Sequence, residues 1–448
     1  MAGRKAGTPS SIVSPSGSAP HPNPPHRKRG EGELDVAADV SRVQDVHTPP
    51  SWLSLIGLGE DGPAGLSPQA KAALAEAEIV FGGERHIALV GSVPGELRPW
   101  PQPFRNALPQ ILAERGRKVC VLATSDPFHY GIGNSLSRAI PAQEMRIIPQ
   151  SSSFSMACTR MRWPQEECAL VSLHGRTLFR IVPHLQPQAR ILALSWDETT
   201  PQAVAELLTA RGMGASRLTV LESLGGPHER VRETRADAFA FDDIVPLNMI
   251  AVAVDAGRNA RVLPLAPGLD EEWFAHDGQI TKSEVRAITI SALAPRAGEL
   301  LWDVGAGSGS VGIEWCQRHP RNAAIAFESK AERIERIARN SLELGGFSVT
   351  VTGEAPAGFA GQPAPDAVFI GGALTVEGLF EGAWAALKPG GRLVANVVTL
   401  EGEAKLAALH ALHGGSLRRI AIDRLVPVGG KHGWRPAMPV TQWRVEKP

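Results

Sequence analysis

The chain has 448 residues, with 46 basic and 46 acidic side chains and a formal net charge of zero. This length allows two or three domains, and the balanced charge argues against a protein that coats nucleic acid or an anionic membrane. The sequence lacks a run of about 18 apolar residues, which a membrane-spanning helix needs, and its four cysteines lack metal-ligand spacing. We expect a cytoplasmic protein without a metal site.

Residues 1–50 differ in composition from the remainder of the chain. They are rich in proline, serine, glycine and charged residues, and they show no apolar periodicity. Such a segment cannot bury enough apolar surface to offset the entropy lost on ordering. We predict a disordered tail.

Short apolar strands alternate with helical stretches between residues 51 and 255, which predicts an α/β domain. Ser67 followed by Pro68 is typical of a helix N-terminus, and this helix should extend to Glu76 or Ala77. A second helix is expected at 201–211. The predicted strands are 52–56, 79–81, 118–123, 145–148, 169–172, 191–194, 218–221 and 249–254.

Two polar loops of this domain are candidate binding elements. The loop 125–133 follows the strand 118–123, so it should lie at the carboxyl edge of a sheet, where α/β proteins bind ligands. Asp126 could alternatively cap local N–H groups. The serines in 151–156 precede a helix, and their hydroxyls could either cap that helix or bind a ligand carboxylate.

A second α/β domain is predicted at 279–448, after a proline- and glycine-containing linker at 256–278. The two halves show no internal repeat, so we interpret the chain as a fusion of two different folds. The predicted strands of the second domain are 300–304, 323–327, 348–352, 367–370, 392–397, 419–422 and 439–444.

Three alternate glycines follow the strand 300–304 and leave room for a ligand beside the backbone. A helix beginning near Ser310 would aim its free N–H groups at that ligand. Asp303 is an acid in an apolar strand and must find hydrogen-bond donors. Glu328 ends the next strand, at the spacing where an acid meets a ribose hydroxyl. The sequence therefore predicts a nucleoside site built around Gly305, Gly307 and Gly309.

Two motif registers overlap at this site. The stretch 307–312 matches G-x-G-x-x-G, the dinucleotide fingerprint, whose first glycine normally follows the strand directly. Here Gly305 is the glycine in that position. The pattern D-x-G-x-G-x-G from Asp303 fits better and resembles motif I of class I S-adenosylmethionine (SAM) methyltransferases. A nicotinamide dinucleotide, or a tight turn without a ligand, remains an alternative.

Several motifs of the first half, taken in order, resemble the tetrapyrrole methylase family (class III methyltransferases), and in particular its C5-methylating members of cobalamin synthesis. These motifs are 57–59 with 66–68, 125–133, 151–154, 171–176 and 222–227. Ser125 departs from the glycine that many class III enzymes have before Asp-Pro. A proline that the family usually has soon after its second glycine is also absent, because Gly59 is followed by Glu60 and Asp61.

The second half resembles the C15-methylating, decarboxylating enzymes of the same pathway, on residues 277–282, 302–311, 353–356, 369–372 and 393–401. Together, the resemblance implies an N-terminal class III tetrapyrrole methylase domain followed by a C-terminal Rossmann-like class I SAM methyltransferase domain. It covers about 52–448.

The resemblance implies one SAM molecule in each domain. In the second domain Gly305–Gly309 would cradle the methionine portion of SAM, Glu328 would accept hydrogen bonds from the ribose, and Thr281 would close over the cofactor. The implied cofactor-binding residues of that domain are Thr281, Asp303, Gly305, Ala306, Gly307, Ser308, Gly309, Glu328, Glu354 and Ala355, the last two flanking the adenine. In the first domain they are Ser125, Asp126, Ser152 and Ser153.

The implied reaction is methylation of a corrin precursor at C5 and C15 with loss of carbon dioxide from its C12 acetate arm. An electron-rich ring carbon needs no serine or cysteine nucleophile, and no residue for proton transfer can be named from the sequence. Arginines and lysines should bind the substrate carboxylates, with Lys282, Arg286 and Arg176 as candidates or as ordinary surface charges. The resemblance also implies a homo-oligomer and no nucleic-acid partner.

Three other functions compete with this interpretation. A nicotinamide-dependent oxidoreductase would show absorbance changes of the nicotinamide and would not bind SAM. An amino-methylating enzyme of RNA or DNA needs an Asn/Asp-Pro-Pro-aromatic motif, and residues 369–373 do not provide one. A non-catalytic SAM-binding protein would bind the cofactor without turning over any tetrapyrrole.

Overall fold

The computed structural model describes residues 51–448, so the predicted disordered tail lies outside the described residues. The first half contains ten strands and six α-helices. Its strands are β1 (Leu53–Leu58), β2 (Ile79–Gly82), β3 (Glu96–Pro99), β4 (Val119–Thr124), β5 (Met145–Ile148), β6 (Cys168–Ser172), β7 (Arg190–Leu194), β8 (Arg217–Glu222), β9 (Arg230–Arg235) and β10 (Asn248–Ala253). Its α-helices are α1 (Pro68–Glu76), α2 (Glu84–Val90), α3 (Ala107–Ala113), α4 (Gly133–Leu136), α5 (Ser153–Met161) and α6 (Thr200–Ala210).

These strands form two separate five-stranded sheets. The first sheet has the order β3-β2-β4-β1-β5 and is parallel throughout. The second has the order β6-β7-β10-β8-β9, and its strands are antiparallel except for the β6–β7 pair. The three central strands of the first sheet, β2, β4 and β1, are buried along most of their length because helices cover a parallel sheet on both faces.

The second half is built on one seven-stranded sheet and a hairpin. Its strands are β11 (Leu300–Val304), β12 (Ala323–Phe327), β13 (Val349–Thr352), β14 (Ala367–Ile370), β15 (Arg392–Val397), β16 (Ser416–Ile420), β17 (Asp423–Val428), β18 (Lys431–Pro436) and β19 (Val440–Glu446). Its α-helices are α7 (Ser283–Leu293), α8 (Ser310–Gln317), α9 (Ala331–Gly345), α10 (Leu379–Ala386) and α11 (Leu400–His413).

The sheet order is β13-β12-β11-β14-β15-β19-β16, with β17 and β18 paired only with each other. Strands β11 to β15 run parallel, whereas β19 runs antiparallel to both of its neighbours. The order of the strands reverses between β11 and β14: β12 and β13 are added on one side of β11, and β14 and β15 on the other. Such a reversal opens a crevice at the carboxyl ends of the strands, where α/β proteins bind ligands. Among residues 51–448, no helix has both the length and the apolarity to cross a membrane.

The predicted strands agree with the observed ones to within two residues, with one exception. The strand predicted at 419–422 is wrong, because β16 ends at Ile420 and the next two residues are not in a strand. Helix α1 begins as predicted, since the Ser67 side chain accepts a hydrogen bond from the Ala70 N–H. The sequence did not predict β3, β9 or the β17–β18 hairpin, which carry too few buried apolar residues to show a pattern.

The two halves of the described chain share a buried apolar cluster. It combines Val182 from the first half with Ile313 and Leu344 from the second. The segment between the halves adds its own buried side chains, and these are Leu263, Leu269 and Phe274. The segment 256–278 therefore packs between the two halves over much of its length.

An ion pair buried from solvent fastens this segment to the second half. The Arg286 Nε lies 2.6 Å from the Glu314 Oε1, and both side chains are fully buried. Glu314 also accepts hydrogen bonds from the N–H groups of Gly268 and Leu269, at 2.6 and 2.9 Å. Arg286 donates to the carbonyl oxygens of Thr281 and Leu269. The alternatives predicted for Arg286, a substrate ligand or a surface charge, are both wrong, because it has no exposed surface.

We predict that Arg286→Met destabilises the protein by about 3–5 kcal/mol, because it leaves the Glu314 carboxylate buried without its cation. Arg235→Met is the matched control, since Arg235 forms an exposed pair with Asp237 and should cost no more than about 1 kcal/mol. Chemical denaturation followed by circular dichroism measures both changes. Equal effects of the two substitutions would contradict the prediction.

Candidate active sites

The second half contains a cavity of about 740 Å³ at the carboxyl edge of its sheet, where the strand order reverses. Loops that follow β11, β12, β14 and β15 form its walls. Of the predicted cofactor residues, seven line it: Thr281, Asp303, Gly305, Ala306, Gly307, Ser308 and Glu328.

The loop after β11 holds a conformation that glycine favours. Gly305 and Gly307 have φ angles of 74° and 60°, in the left-handed region. The N–H groups of Gly305 and Ala306 donate to the Phe327 carbonyl oxygen at 3.0 and 3.2 Å, which ties the loop to β12. The Ser308 hydroxyl lies buried at the cavity wall without a hydrogen-bond partner among the described residues. A polar ligand would satisfy this hydroxyl.

Glu328 organises the same loop through backbone hydrogen bonds. Its Oε2 accepts from the Gly307 N–H at 3.0 Å. Its Oε1 accepts from the N–H groups of Ser329 and Lys330 at 3.0 and 3.1 Å. The carboxylate thus joins the ends of β11 and β12 and faces the cavity with 6% of its surface exposed.

Asp303 is fully buried and finds the hydrogen-bond donor that the sequence required. Its Oδ2 accepts from the Gly312 N–H at 2.9 Å. Burial, opposed by the hydrogen bond from the Gly312 N–H and reinforced by the negative charge of Glu328, raises the pKa of Asp303 to about 7. When this carboxyl is protonated, strand β11 does not carry a buried negative charge.

The segment 277–282 closes the opposite side of the cavity and is attached to helix α9. Arg333 donates to Asp277 at 2.8 Å and to the Gln279 side chain at 2.5 Å. Arg336 lies 3.2 Å from Asp277. These guanidinium groups, Arg333 first, hold the pKa of Asp277 well below its usual range. The cavity walls include Thr281 and Lys282 of this segment.

Three predicted cofactor residues of this half do not line the cavity. Gly309 packs against Ile337 of α9, where a side chain on residue 309 would collide with the isoleucine. Glu354 is exposed, and Ala355 packs against the core under the sheet. Gly312, the last glycine of the dinucleotide pattern, lies close to Asp303 and Ala324 and permits close packing of α8 on the sheet.

The first half has its own cavity of about 630 Å³, which touches both of its sheets. We call it the first cavity, and the cavity of the second half the second cavity. It lies at the carboxyl ends of β1, β2 and β4, as predicted for the loop 125–133. The four cofactor residues predicted in this half line it together, and they are Ser125, Asp126, Ser152 and Ser153.

Ser125 occupies a strained position at the end of β4. Its φ of 47° lies in the left-handed region, which glycine adopts more easily than serine. This conformation explains why a glycine is common at this position in the family that the sequence resembles. The Ser125 carbonyl oxygen accepts from the Gln150 N–H at 3.0 Å and lies against Gly57, where any side chain would overlap it.

Two of the predicted residues also have local structural roles. The Asp126 Oδ1 accepts from the Phe128 N–H at 2.9 Å, which is the local turn that the sequence offered as an alternative. The Ser152 hydroxyl accepts from the Ser155 N–H at 3.1 Å and caps helix α5. These contacts fix the loops against the cavity and leave their ligand roles as predictions.

The sequence did not single out the charged cluster at one end of this cavity. Arg85 pairs with Glu60 and also contacts His86 and Thr124. Burial first, and then the neighbouring Arg85 guanidinium, lower the pKa of His86 to about 4, so this imidazole is neutral near pH 7. A possible signal was the Gly82–Gly83 pair, because glycines after a strand often mark a ligand-binding edge.

The opposite wall of the cavity carries aromatic and polar side chains. The His129 ring stacks on Phe154 with a centroid separation of 4.5 Å, and the Arg176 guanidinium lies 5.3 Å from the centre of the Tyr130 ring. Polar atoms without a partner among residues 51–448 also face it, and they are the Ser195 Oγ and the Asn248 Oδ1. Of the basic residues predicted to bind substrate, Arg176 and Lys282 each line a cavity.

We predict that the Asp303 carboxyl makes stability fall as pH rises from 5 to 7. The folded state keeps a proton up to about pH 7, whereas an unfolded aspartate releases it near pH 4. Rising pH therefore withdraws a proton that only the folded state holds. The free energy of unfolding of the wild type, relative to Asp303→Asn, should drop by about 1 kcal/mol per pH unit in this range. Denaturation at several pH values measures it, and a difference that is flat or rises with pH would contradict it.

Two family models match the chain in the order of its two halves. Residues 53–240 match the tetrapyrrole (corrin/porphyrin) methylases, and residues 272–447 match the precorrin methyltransferase domain. The oxidoreductase alternative has no support in these matches.

The chain is similar to curated proteins of corrin synthesis. A precorrin-6Y C(5,15)-methyltransferase [decarboxylating] from Sinorhizobium sp is 52% identical over 91% of this chain and 98% of its own length. A cobalt-precorrin-7 C(5)-methyltransferase from Salmonella typhimurium is 29% identical over 40% of this chain and 88% of its own. A cobalt-precorrin-6B C(15)-methyltransferase (decarboxylating) from Salmonella typhi is 34% identical over 36% of this chain and 85% of its own.

The first of these relatives extends over nearly the full length of both proteins at an identity above one half. The two matched domain models follow one another in a single chain, the tetrapyrrole methylase first and the precorrin methyltransferase domain second. The chain therefore belongs to the precorrin-6Y C(5,15)-methyltransferase (decarboxylating) family.

Proposed function

We propose that the chain transfers methyl groups from SAM to C5 and C15 of a precorrin and removes carbon dioxide from its C12 acetate arm, in cobalamin biosynthesis. In this proposal residues 51–255 methylate C5, residues 279–448 methylate C15 and decarboxylate, and 256–278 join them. The observation that carries it is the 52% identity to a two-site methyltransferase across both halves. A cavity at the carboxyl edge of a sheet in each half supports it.

The second cavity fits the chemistry of SAM. The left-handed glycines 305 and 307 allow the backbone to approach a ligand closely, and helix α8 begins beside them. We propose that the Ser308 hydroxyl, which lacks a partner, donates to the cofactor, and that Glu328 binds its ribose hydroxyls. Thr281 would cover it, while Gly309 supports the loop from behind. Glu354 and Ala355 stay proposed neighbours of the adenine.

The first cavity would hold a second SAM molecule. Ser125, Asp126, Ser152 and Ser153 would form its cofactor cleft, since all four line the same cavity. The unpartnered Ser195 hydroxyl adds a polar group suited to a nucleoside or amino-acid moiety. One cofactor per half is thus our proposal.

SAM, when bound, supplies a sulfonium methyl group that is already a strong electrophile. The chain must then hold the methyl group and the ring carbon in line and exclude water. The buried Ser308 and Glu328 on one side and the segment 277–282 on the other enclose the second cavity for that purpose. The conjugated ring can accept the electron pair released by decarboxylation, so the chain needs to supply only position and proton exchange.

We further propose a homo-oligomer that works in the cytoplasm. The four cysteines are free thiols, as a reducing compartment requires. The β17–β18 hairpin exposes Leu425, Val428 and Trp434 by 57% or more, and a lone two-stranded hairpin is marginal in water without a covering partner. Light scattering of the purified chain should give a multiple of 47.7 kDa. A monomeric mass at micromolar concentration would exclude the oligomer.

Mass spectrometry of the tetrapyrrole tests the proposed function directly. With methyl-labelled SAM and precorrin-6Y, we expect two labelled methyl groups and the loss of one carbon dioxide. The single-site relatives are named for C15 methylation of cobalt-precorrin-6B and C5 methylation of cobalt-precorrin-7, so C15 methylation should come first. Asp126→Ala in the first cavity should therefore give a product that carries one labelled methyl group and has lost one carbon dioxide, and it should lower the second transfer by at least about tenfold.

Gly307→Val is the matched variant for the second cavity. Its side chain would occupy the ligand face of a left-handed residue and should suppress the first methylation and the decarboxylation together. An unchanged pigment with the wild-type chain would contradict the proposed function. Two methyl groups added by the Gly307→Val variant would contradict the assignment of C15 chemistry to residues 279–448.

A further inference from the structure

A charged cluster closes one end of the first cavity, and the cofactor residues proposed above do not include it. The cluster consists of Glu60 after β1, Arg85 and His86 in α2 after β2, and Thr124 at the end of β4. Because these strands are neighbours in a parallel sheet, their carboxyl ends bring the four side chains together.

The hydrogen bonds of the cluster fix the orientation of the Arg85 guanidinium. One terminal nitrogen lies 3.0 Å from the His86 Nε2 and 3.0 Å from the Thr124 Oγ1. The other terminal nitrogen pairs with Glu60. A guanidinium only donates, so the His86 Nε2 must accept, and the proton of this neutral imidazole is then on Nδ1. Three of the five N–H donors are used in these contacts, and two are left for a ligand.

The cluster is short of hydrogen-bond acceptors, although Glu60 balances the charge of Arg85. Burial lowers the pKa of Arg85 even though Glu60 is in contact with it. The His86 Nδ1 is buried and has no hydrogen-bond partner among the described residues. The Arg85 side chain is 35% exposed, and a carboxylate at this end of the cavity would accept from its free N–H groups.

An apolar wall adjoins the same cluster. A side chain on Gly83 would lie 3.4 Å from the His86 Nδ1 and 3.5 Å from the Trp100 ring, so these two side chains flank one glycine. Trp100 meets Phe104 edge to face with a centroid separation of 5.6 Å. Phe104 is 51% exposed although it lines the cavity. The end of the cavity thus offers a cation next to aromatic surface, which suits a flat conjugated ring with carboxylate arms.

We propose that Arg85 binds a carboxylate arm of the tetrapyrrole during methylation at C5, and that His86 and Thr124 are positioning residues that hold its guanidinium. This inference rests on the proposed function. The methionine carboxylate of SAM has the same chemistry, but the proposed cofactor cleft is lined by 125–126 and 152–153. Of the four cluster residues, only Thr124 is next to a residue of that cleft in the sequence. We therefore assign the carboxylate that Arg85 binds to the macrocycle and not to SAM.

Steady-state kinetics of C5 methylation test the assignment. The substrate is precorrin-7, and the variants are Arg85→Gln, Arg85→Lys and His86→Gln in the full chain. Arg85→Gln should raise the KM for the tetrapyrrole by about 10- to 100-fold, the value of a charge-assisted hydrogen bond, with a smaller change in kcat. Arg85→Lys should recover part of this loss, and His86→Gln should raise KM by less than Arg85→Gln.

Controls separate a lost contact from a lost fold. C15 methylation of precorrin-6Y by the same variants should equal that of the wild type, because it uses the other cavity. Arg138→Gln, a change at an exposed arginine outside the cavity, should leave the KM for precorrin-7 unchanged. S-adenosylhomocysteine binding, measured by equilibrium dialysis, should be the same for the wild type and Arg85→Gln.

Two results would overturn the proposal. An unchanged KM in Arg85→Gln would show that the guanidinium does not bind the substrate, and a selective loss of S-adenosylhomocysteine binding would assign it to the cofactor. Failure of the wild-type chain to methylate precorrin-7 is distinguishable from both. It would overturn the proposed C5 function and this inference with it.

Discussion

The buried ion pair between Arg286 and Glu314 is the contact on which the arrangement of the second cavity depends. Two charges with no exposed surface are costly unless every donor and acceptor is used. Here backbone N–H groups of 268–269 and carbonyl oxygens of 269 and 281 complete the network. One pair of side chains therefore fixes both the segment between the halves and the wall that carries Thr281.

This network also relates the cavity to the contact between the two halves. The segment that leaves the first half buries Leu263, Leu269 and Phe274 in a cluster shared by both halves, and Leu269 is also bound by the ion pair. Helix α9 contributes Leu344 to that cluster and, near its other end, holds the segment 277–282 through Arg333. The cavity wall is thus anchored to a packed core, which is what a positioned methyl transfer requires.

Both cavities lie at the carboxyl edge of a sheet, but different residue types adopt the left-handed backbone conformation there. In the second half, glycines adopt the left-handed conformations at the end of β11. In the first half Ser125 adopts one, and the glycine is found opposite, at Gly57, where the Ser125 carbonyl oxygen leaves no room for a side chain. Burial differs as well, because the acid of the second site, Asp303, is fully buried and keeps a proton to about pH 7.

Most of the fold could be predicted from the sequence, because buried parallel strands are continuous apolar runs such as those of β11 and β12. The glycine loop and the loop 125–133 were predicted as sites because each follows such a strand. Strand β9, with its alternating charges, and the exposed β17–β18 hairpin gave no apolar signal. The Arg85 cluster could not be predicted, since it exists only because β1, β2 and β4 are neighbours in the sheet. The burial of Arg286 likewise follows from tertiary packing and not from its neighbours in the chain.

The number of cofactor molecules bound by each chain tests the central claim most directly. Equilibrium dialysis with labelled S-adenosylhomocysteine counts them, and the account predicts two per chain, with one remaining when Gly307 is replaced by valine. A wild-type count of one, or of none, would contradict the claim that each half of the chain holds a SAM site of its own.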